Sequence, residues 1–76
     1  MAYTSEEKQA AAARLAAIKE GLAGKGIKYY VSAAKAIDKN VNPKKLNNVM
    51  SGSNLHERSL LVLEVVAGIR ELAEVA

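Results

Sequence analysis

Hydrophobic and polar positions alternate with helical periodicity along the chain, in four segments separated by glycine, asparagine and proline. In the first segment the larger apolar side chains recur every three or four residues, which places them on one helical face: Leu15, Ile18 and Leu22. Thr4 and Glu7 have the spacing of a capping box, and Gly24 and Gly26 follow as stop signals. The pattern predicts a first helix near residues 5–23.

The second segment, IKYYVSAAKAID, covers residues 27–38. Its apolar face is expected to comprise Ile27, Tyr30, Ala34 and Ile37. Adjacent Tyr-Tyr-Val would also suit a strand, but Ala-Ala-Lys-Ala follows it and the chain offers no second strand candidate. We therefore predict a second helix, ended by the turn signal Asp38-Lys39-Asn40.

The third segment lies in NVNPKKLNNVMSG, residues 40–52. Asn42 suits an N-cap, Pro43 suits the first helical position because its missing N–H costs nothing there, and Gly52 suits the end. A helix near residues 43–51 would bury Leu46, Val49 and Met50. Its other side chains would lie partly or wholly outward: Lys44, Lys45, Asn47, Asn48 and Ser51.

The fourth segment predicts a helix from about Leu55 to Glu74, with Asn54 as N-cap and Glu57 at the third helical position. A break at Gly68 would make five helices. Glutamates repeat every seven residues and predict a solvated stripe: Glu57, Glu64 and Glu71. Apolar positions exceed what one core-facing stripe requires. This helix is therefore either the central core helix or a helix whose far side pairs with a second subunit through Val62, Val66 and Ile69.

Length and composition limit the function classes. A chain of 76 residues forms one domain with one small core. Without cysteine it has no disulfide or thiolate metal site. Its one histidine has no carboxylates at ligand spacing, and no serine has a recognisable catalytic base nearby. We expect no enzyme activity, no metal, no cofactor and no small-molecule ligand. The polar N-terminus and short apolar runs predict cytoplasmic residence without a membrane partner.

Charge is distributed unevenly along the sequence. Residues 1–23 are neutral, residues 24–52 carry six lysines against Asp38 for a net +5, and residues 53–76 carry a net −2. A basic middle third suits a polyanionic partner. The third helix adds suitable chemistry, because Asn can bond adenine, Lys can reach guanine, and both can bond phosphates. These residues favour DNA binding.

The region from about Ile27 to Ile69 resembles the phage-repressor and Cro type of helix-turn-helix domain, the lambda-repressor-like family. The resemblance rests on AAKAI, then VNPKKLNNVMSG, then NLHERSLLVL. Matching positions are the small residue of helix 2, the hydrophobe after the turn, the core pair of helix 3 and its ending: Ala34, Val41, Leu46, Val49 and Met50-Ser51-Gly52. Two features depart from the family. Asn40 replaces the usual turn glycine, in a turn about two residues longer, and the glutamine that begins helix 2 is absent.

The resemblance implies an all-α bundle of four or five helices with a helix-turn-helix at about residues 27–52. It also implies a bacterial or phage-encoded transcriptional regulator, associated with the nucleoid, that binds double-stranded DNA. Helix 3 would enter the major groove and contact bases through Lys44, Lys45, Asn47 and Asn48. Phosphate contacts would come from Lys25, Lys28, Tyr29, Lys39, Ser51, Ser53 and His56.

Alternatives to these assignments remain open. Of the two adjacent tyrosines, Tyr29 and Tyr30, one is expected in the core and the other at the surface, and His56 could be a plain surface residue. The whole chain could instead be a protein-interaction or homodimerisation module that uses the apolar face of the helix at 55–74. It could also be a bundle without a nucleic-acid role.

Overall fold

The computed structural model describes residues 4–53 and 55–74, and within these ranges the chain is helical without any strand. The elements are α1 Ser5–Gly21, α2 Ile27–Ile37, α3 Pro43–Ser51, α4 Glu57–Val66 and a final 3₁₀ turn, Leu72–Glu74. The predicted small all-α bundle is confirmed, and the Tyr-Tyr-Val stretch is helical. No helix in the described ranges has both the length and the apolar character needed to cross a bilayer.

Helix α4 lies at the centre of the bundle and packs against α1, α2 and α3. The core is aliphatic apart from Tyr30, and its largest fully buried apolar side chains come from α1, α3 and α4: Ile18, Leu46, Val49, Leu60, Val62 and Leu63. Burying each such side chain contributes about 1.5–3 kcal/mol. Most of the broad apolar surface of α4 therefore packs against α1, α2 and α3 of the same chain.

Helix α1 begins as predicted and ends earlier. Thr4 and Glu7 form the full capping box, with the Thr4 Oγ1 accepting from the Glu7 N–H at 3.1 Å and Glu7 Oε1 accepting from the Thr4 N–H at 3.0 Å. The helix ends at Gly21 instead of near residue 23. A Cβ added at Gly21 would lie 2.6 Å from the Ala67 carbonyl oxygen, so this glycine allows the chain after α4 to approach α1 closely.

Helix α3 has the predicted bounds because its end signals are local. The Asn42 Oδ1 accepts from the Lys44 N–H at 2.9 Å, and Pro43 occupies the first turn. Gly52 takes the left-handed conformation at φ +78°, and the Ser53 N–H then bonds the Asn48 carbonyl at 3.1 Å.

Helix α4 corrects the prediction at both ends. Its N-cap is His56, whose ring accepts from the Ser59 N–H, so Glu57 is the first helical residue and not the third; the predicted cap, Asn54, lies outside the described residues. The helix ends at Val66 because Gly68 turns left-handed at φ +81° and the Ile69 N–H bonds the Glu64 carbonyl. The break at Gly68 that the sequence allowed is thus present, followed by a single 3₁₀ turn.

The predicted solvated stripe of glutamates is wrong at Glu64, which is only 6% exposed. Arg14 of α1 bonds its carboxylate through two nitrogens, at 2.6 and 3.2 Å, and Arg70 adds a third bond at 3.1 Å. Arg14 also pairs with Glu57 at 2.9 Å. Burial would raise the pKa of Glu64, but the guanidinium groups outweigh it and hold the pKa below its usual value. Through Glu64, Arg14 links α1 to α4, and Arg70 links the segment after α4 to the same helix.

Candidate nucleic-acid interface

Helix α3 turns one face to the core and leaves a polar face outside. Leu46 and Val49 are completely buried. Spacings of four and three place a second set of residues on the opposite, outward side: Lys44, Asn48 and Ser51. Lys44, Lys45 and Asn47 are exposed and Asn48 is half-buried. All four predicted base-contact residues therefore keep some access to solvent.

The lysines of the middle third are all exposed, and none forms an ion pair within residues 4–53 and 55–74: Lys25, Lys28, Lys35, Lys39, Lys44 and Lys45. The ammonium group of Lys25 lies 5.0 Å from the centre of the Tyr29 ring. Asp38 is the single carboxylate of this region, and it pairs with Arg58 of α4 at 3.1 Å. The positive charge of α2, α3 and their flanking turns is therefore not compensated by nearby acids of the same region.

Asp38 also organises the turn between α2 and α3. Its Oδ1 accepts from the Asn40 N–H at 3.0 Å, and its backbone carbonyl accepts from the Val41 N–H at 3.1 Å. The bond from the Asn40 backbone, followed by that from Arg58, holds the pKa of Asp38 below its usual value. The carboxylate therefore stays ionised and fixes the turn that precedes α3.

The two tyrosines divide as expected. Tyr30 is buried at 5% exposure, whereas Tyr29 is 48% exposed and available for the predicted phosphate contact. The Tyr30 hydroxyl donates to Asn47 Oδ1 at 2.6 Å, which joins α2 to α3. Burial raises the pKa of the Tyr30 hydroxyl, so it stays protonated as a donor.

Several residues that were predicted to contact phosphates form hydrogen bonds within the chain. The hydroxyls of Ser51 and Ser53 each donate to the Asn48 carbonyl, at 3.0 and 3.3 Å, and so close the end of α3. His56 Nδ1 lies 2.8 Å from the Ser59 hydroxyl and accepts from its N–H, so only Nε2 is left for an outside ligand. Lys25, Lys28 and Lys39 remain exposed.

The backbone N–H groups that begin α3 are fewer than a generic helix start would offer. Pro43 has none, and Asn42 accepts the N–H of Lys44. Within the described residues, the Lys45 N–H is the one group of this turn that no bond satisfies. An anion at this helix start would therefore be held mainly by lysine side chains.

The predicted partner face on α4 needs correction. Val62 is completely buried in the core, because α4 is covered by three helices, so it cannot meet a second subunit. Val66 is half-buried against the core, and Ile69 is 47% exposed. Ile27 was also expected on a buried face and is instead among the exposed large apolar residues, with Tyr29, Ile69 and Leu72.

Sequence reasoning missed the contacts that join distant residues. Arg14–Glu64 spans 50 positions and Tyr30–Asn47 spans 17, and no local motif marks either pair. An arginine within an otherwise alanine-rich helix was the available signal for the first. No cluster of three His, Asp or Glu side chains in the described ranges could hold a metal ion.

Comparisons of the chain with protein-family models, with curated proteins and with solved structures find no match. Function is therefore inferred from the residues of this chain and their geometry.

Proposed function

We propose that this protein binds double-stranded DNA and acts as a transcriptional regulator, with α2, its turn and α3 serving as a helix-turn-helix. The observation that carries the proposal is the electrostatic asymmetry of residues 24–52. Six exposed lysines there have no ion-pair partner in the described part of the chain, and the region's one acid is paired with Arg58. Such a surface attracts a polyanion and releases its counterions.

Helix α3 has the size and the side chains that suit the major groove. The groove admits one helix, and the outward face of α3 offers Lys44 and Asn48 near its centre with Lys45 and Asn47 at its flanks. Lysine can bond the acceptors of guanine, and the Asn48 amide, which no described side chain or backbone group bonds, can present both a donor and an acceptor to adenine. Lys25, Lys28, Tyr29 and Lys39 supply the phosphate contacts.

The test is binding of the purified protein to mixed-sequence duplex DNA, followed by fluorescence anisotropy over a salt series. The double substitution Lys44→Ala with Lys45→Ala should weaken binding to every sequence and lower the salt slope by about 2. A matched control is Lys8→Ala with Lys19→Ala, which removes the same charge from exposed positions on α1.

The control pair should lower affinity much less than the α3 pair. Absence of binding by the parent protein at low salt would overturn the proposal. Equal losses from the two double variants would remove α3 from the interface and leave only a general charge effect.

A second candidate function is self-association through the C-terminal edge. Ile69 and Leu72 are 47% and 52% exposed and Val66 is half-buried, whereas Val62 is buried in the core and is not part of this surface. A two-fold dimer would place two recognition helices about one DNA turn apart. Sedimentation velocity at rising concentration tests this, since Ile69→Lys should then shift a dimer to monomer. An unchanged monomeric profile for the parent protein would exclude this interface.

A further inference from the structure

We infer that Tyr30 orients the Asn47 amide so that this position of α3 offers hydrogen-bond donors to DNA and selects guanine over adenine at the base it faces. The inference rests on the proposed DNA binding. It makes Tyr30, a core residue, a positioning residue for base preference, and it makes Asn47 the group that touches the base.

The geometry that carries this inference is the bond between α2 and α3. The Tyr30 hydroxyl donates to Asn47 Oδ1 at 2.6 Å. The Tyr30 ring is buried against the core at 5% exposure, so the hydroxyl has a fixed position and needs a partner there. Asn47 itself is exposed, and nothing in residues 4–53 or 55–74 bonds its NH₂ group.

The bond therefore separates the two ends of the amide. Its oxygen turns inward to Tyr30, and its NH₂ group, on the other side of the amide carbon, is the end left for an outside ligand. Asparagine ordinarily recognises adenine with both ends, accepting from N6 and donating to N7. With the oxygen turned inward to Tyr30, the NH₂ group is the end that faces the base, and opposite adenine N6 it would meet a second donor.

Guanine removes this conflict because its major-groove edge presents two acceptors, O6 and N7, whereas adenine offers this NH₂ group N7 alone. The neighbouring Lys44 and Lys45 are exposed and carry only donors, so they favour the same base. Asn48 differs, because its side chain has no bond in the described structure and keeps both ends of its amide. The first turns of α3 thus combine three donor-only side chains with one amide that can still recognise adenine.

The experiment compares base preference in four proteins: the parent, Tyr30→Phe, Asn47→Ala and the control Ser32→Ala, which removes an exposed hydroxyl of α2 that has no assigned contact. Each is titrated by anisotropy against duplexes that differ at single positions of a site selected from a random pool, at one fixed salt concentration. Thermal unfolding is recorded for each protein, because loss of the Tyr30 hydroxyl could act on stability alone.

The parent should prefer guanine at one position, and Asn47→Ala should abolish that preference. Tyr30→Phe frees the Asn47 oxygen and should lower the guanine-to-adenine affinity ratio there by about tenfold, with the salt slope unchanged. Ser32→Ala should keep the parent ratio. These results would support the inference.

Other outcomes overturn it, and they separate it from the proposed function. If the parent binds DNA with a steep salt slope but Tyr30→Phe keeps the parent ratio, the inference fails and DNA binding stands. The same holds if Tyr30→Phe lowers only the unfolding temperature, or if Asn47→Ala keeps the preference. If the parent does not bind DNA at low salt, both fail.

Discussion

Two regions of this small bundle differ in whether their charged side chains form ion pairs. Where α1 meets α4, Arg14, Glu57, Glu64 and Arg70 bond one another, and the central carboxylate is almost fully buried. In α2, α3 and their turns, six lysines are exposed without an ion-pair partner among the described residues. Charges that hold a fold are paired inside the chain, whereas unpaired charges of one sign repel one another and remain available to an external anion.

The largest effect is expected from breaking the paired region. Glu64→Ala leaves Arg14 and Arg70 without their shared carboxylate and should lower the free energy of unfolding by about 3 kcal/mol. This loss is at the low end of the range for breaking a buried ion pair, because both arginine side chains keep some solvent contact, at 27% and 28% exposure. Urea denaturation measures it, with Glu20→Ala on the exposed side of α1 as the matched control.

Glu20→Ala should change stability by less than about 0.5 kcal/mol. If Glu64→Ala also changed stability by less than this, the Glu64 network would contribute no more than an exposed ion pair. The two regions would then not differ in how their charges stabilise the fold.

Close packing in the paired region gives the next effect. Gly21→Ala places a Cβ 2.6 Å from the Ala67 carbonyl oxygen and 2.8 Å from its Cβ, both in the turn after α4. Relief of this clash should cost about 1–3 kcal/mol, seen as a lower urea midpoint. Gly26→Ala is the comparison, because its added Cβ meets nothing within 4 Å and the variant loses only the N-cap preference of α2. Equal midpoints for the two variants would show that α1 and this turn are not held against each other.

The two regions also differ in how far the sequence predicted them. The predictions of a helix near residues 43–51 and of a helix start near residue 5 agree with the structure, because Asn42-Pro43, Gly52 and the Thr4 capping box are local signals. Exposure of the lysines followed from the same local pattern.

The paired region was not predicted, because its features depend on what packs opposite each face. The seven-residue spacing places Glu57 and Glu64 on one side of α4, but only the fold brings Arg14 against Glu64. Val62 was misplaced for the same reason, since periodicity alone does not show that three helices cover α4. In the candidate site, the sequence predicted that the polar side chains of α3 face outward, but not the hydrogen bond from Tyr30 to Asn47.

Acid should weaken the paired region through Glu64. Its folded pKa lies below its unfolded value, so its contribution is complete above the unfolded pKa and is lost as pH falls through the folded one. The parent should therefore lose more stability than Glu64→Gln between about pH 6 and about pH 3. Urea midpoints of both proteins across this range measure the difference. Parallel curves would show that Glu64 has the same pKa in the folded and unfolded chains.

The smallest effect on stability is expected in the unpaired region. Lys28→Gln with Lys39→Gln removes two exposed ammonium groups that no carboxylate in the described ranges holds. The urea midpoint should therefore stay within about 0.5 kcal/mol of the parent in free energy. On DNA the same variant should lower the salt slope by about 2 and leave base preference unchanged, because these lysines are assigned to phosphates. A stability loss above about 1 kcal/mol would mean that these lysines serve the fold after all. If stability and the salt slope were both unchanged, the two lysines would contribute neither to the fold nor to DNA binding. Lys28 and Lys39 would then not belong to the proposed DNA-binding surface.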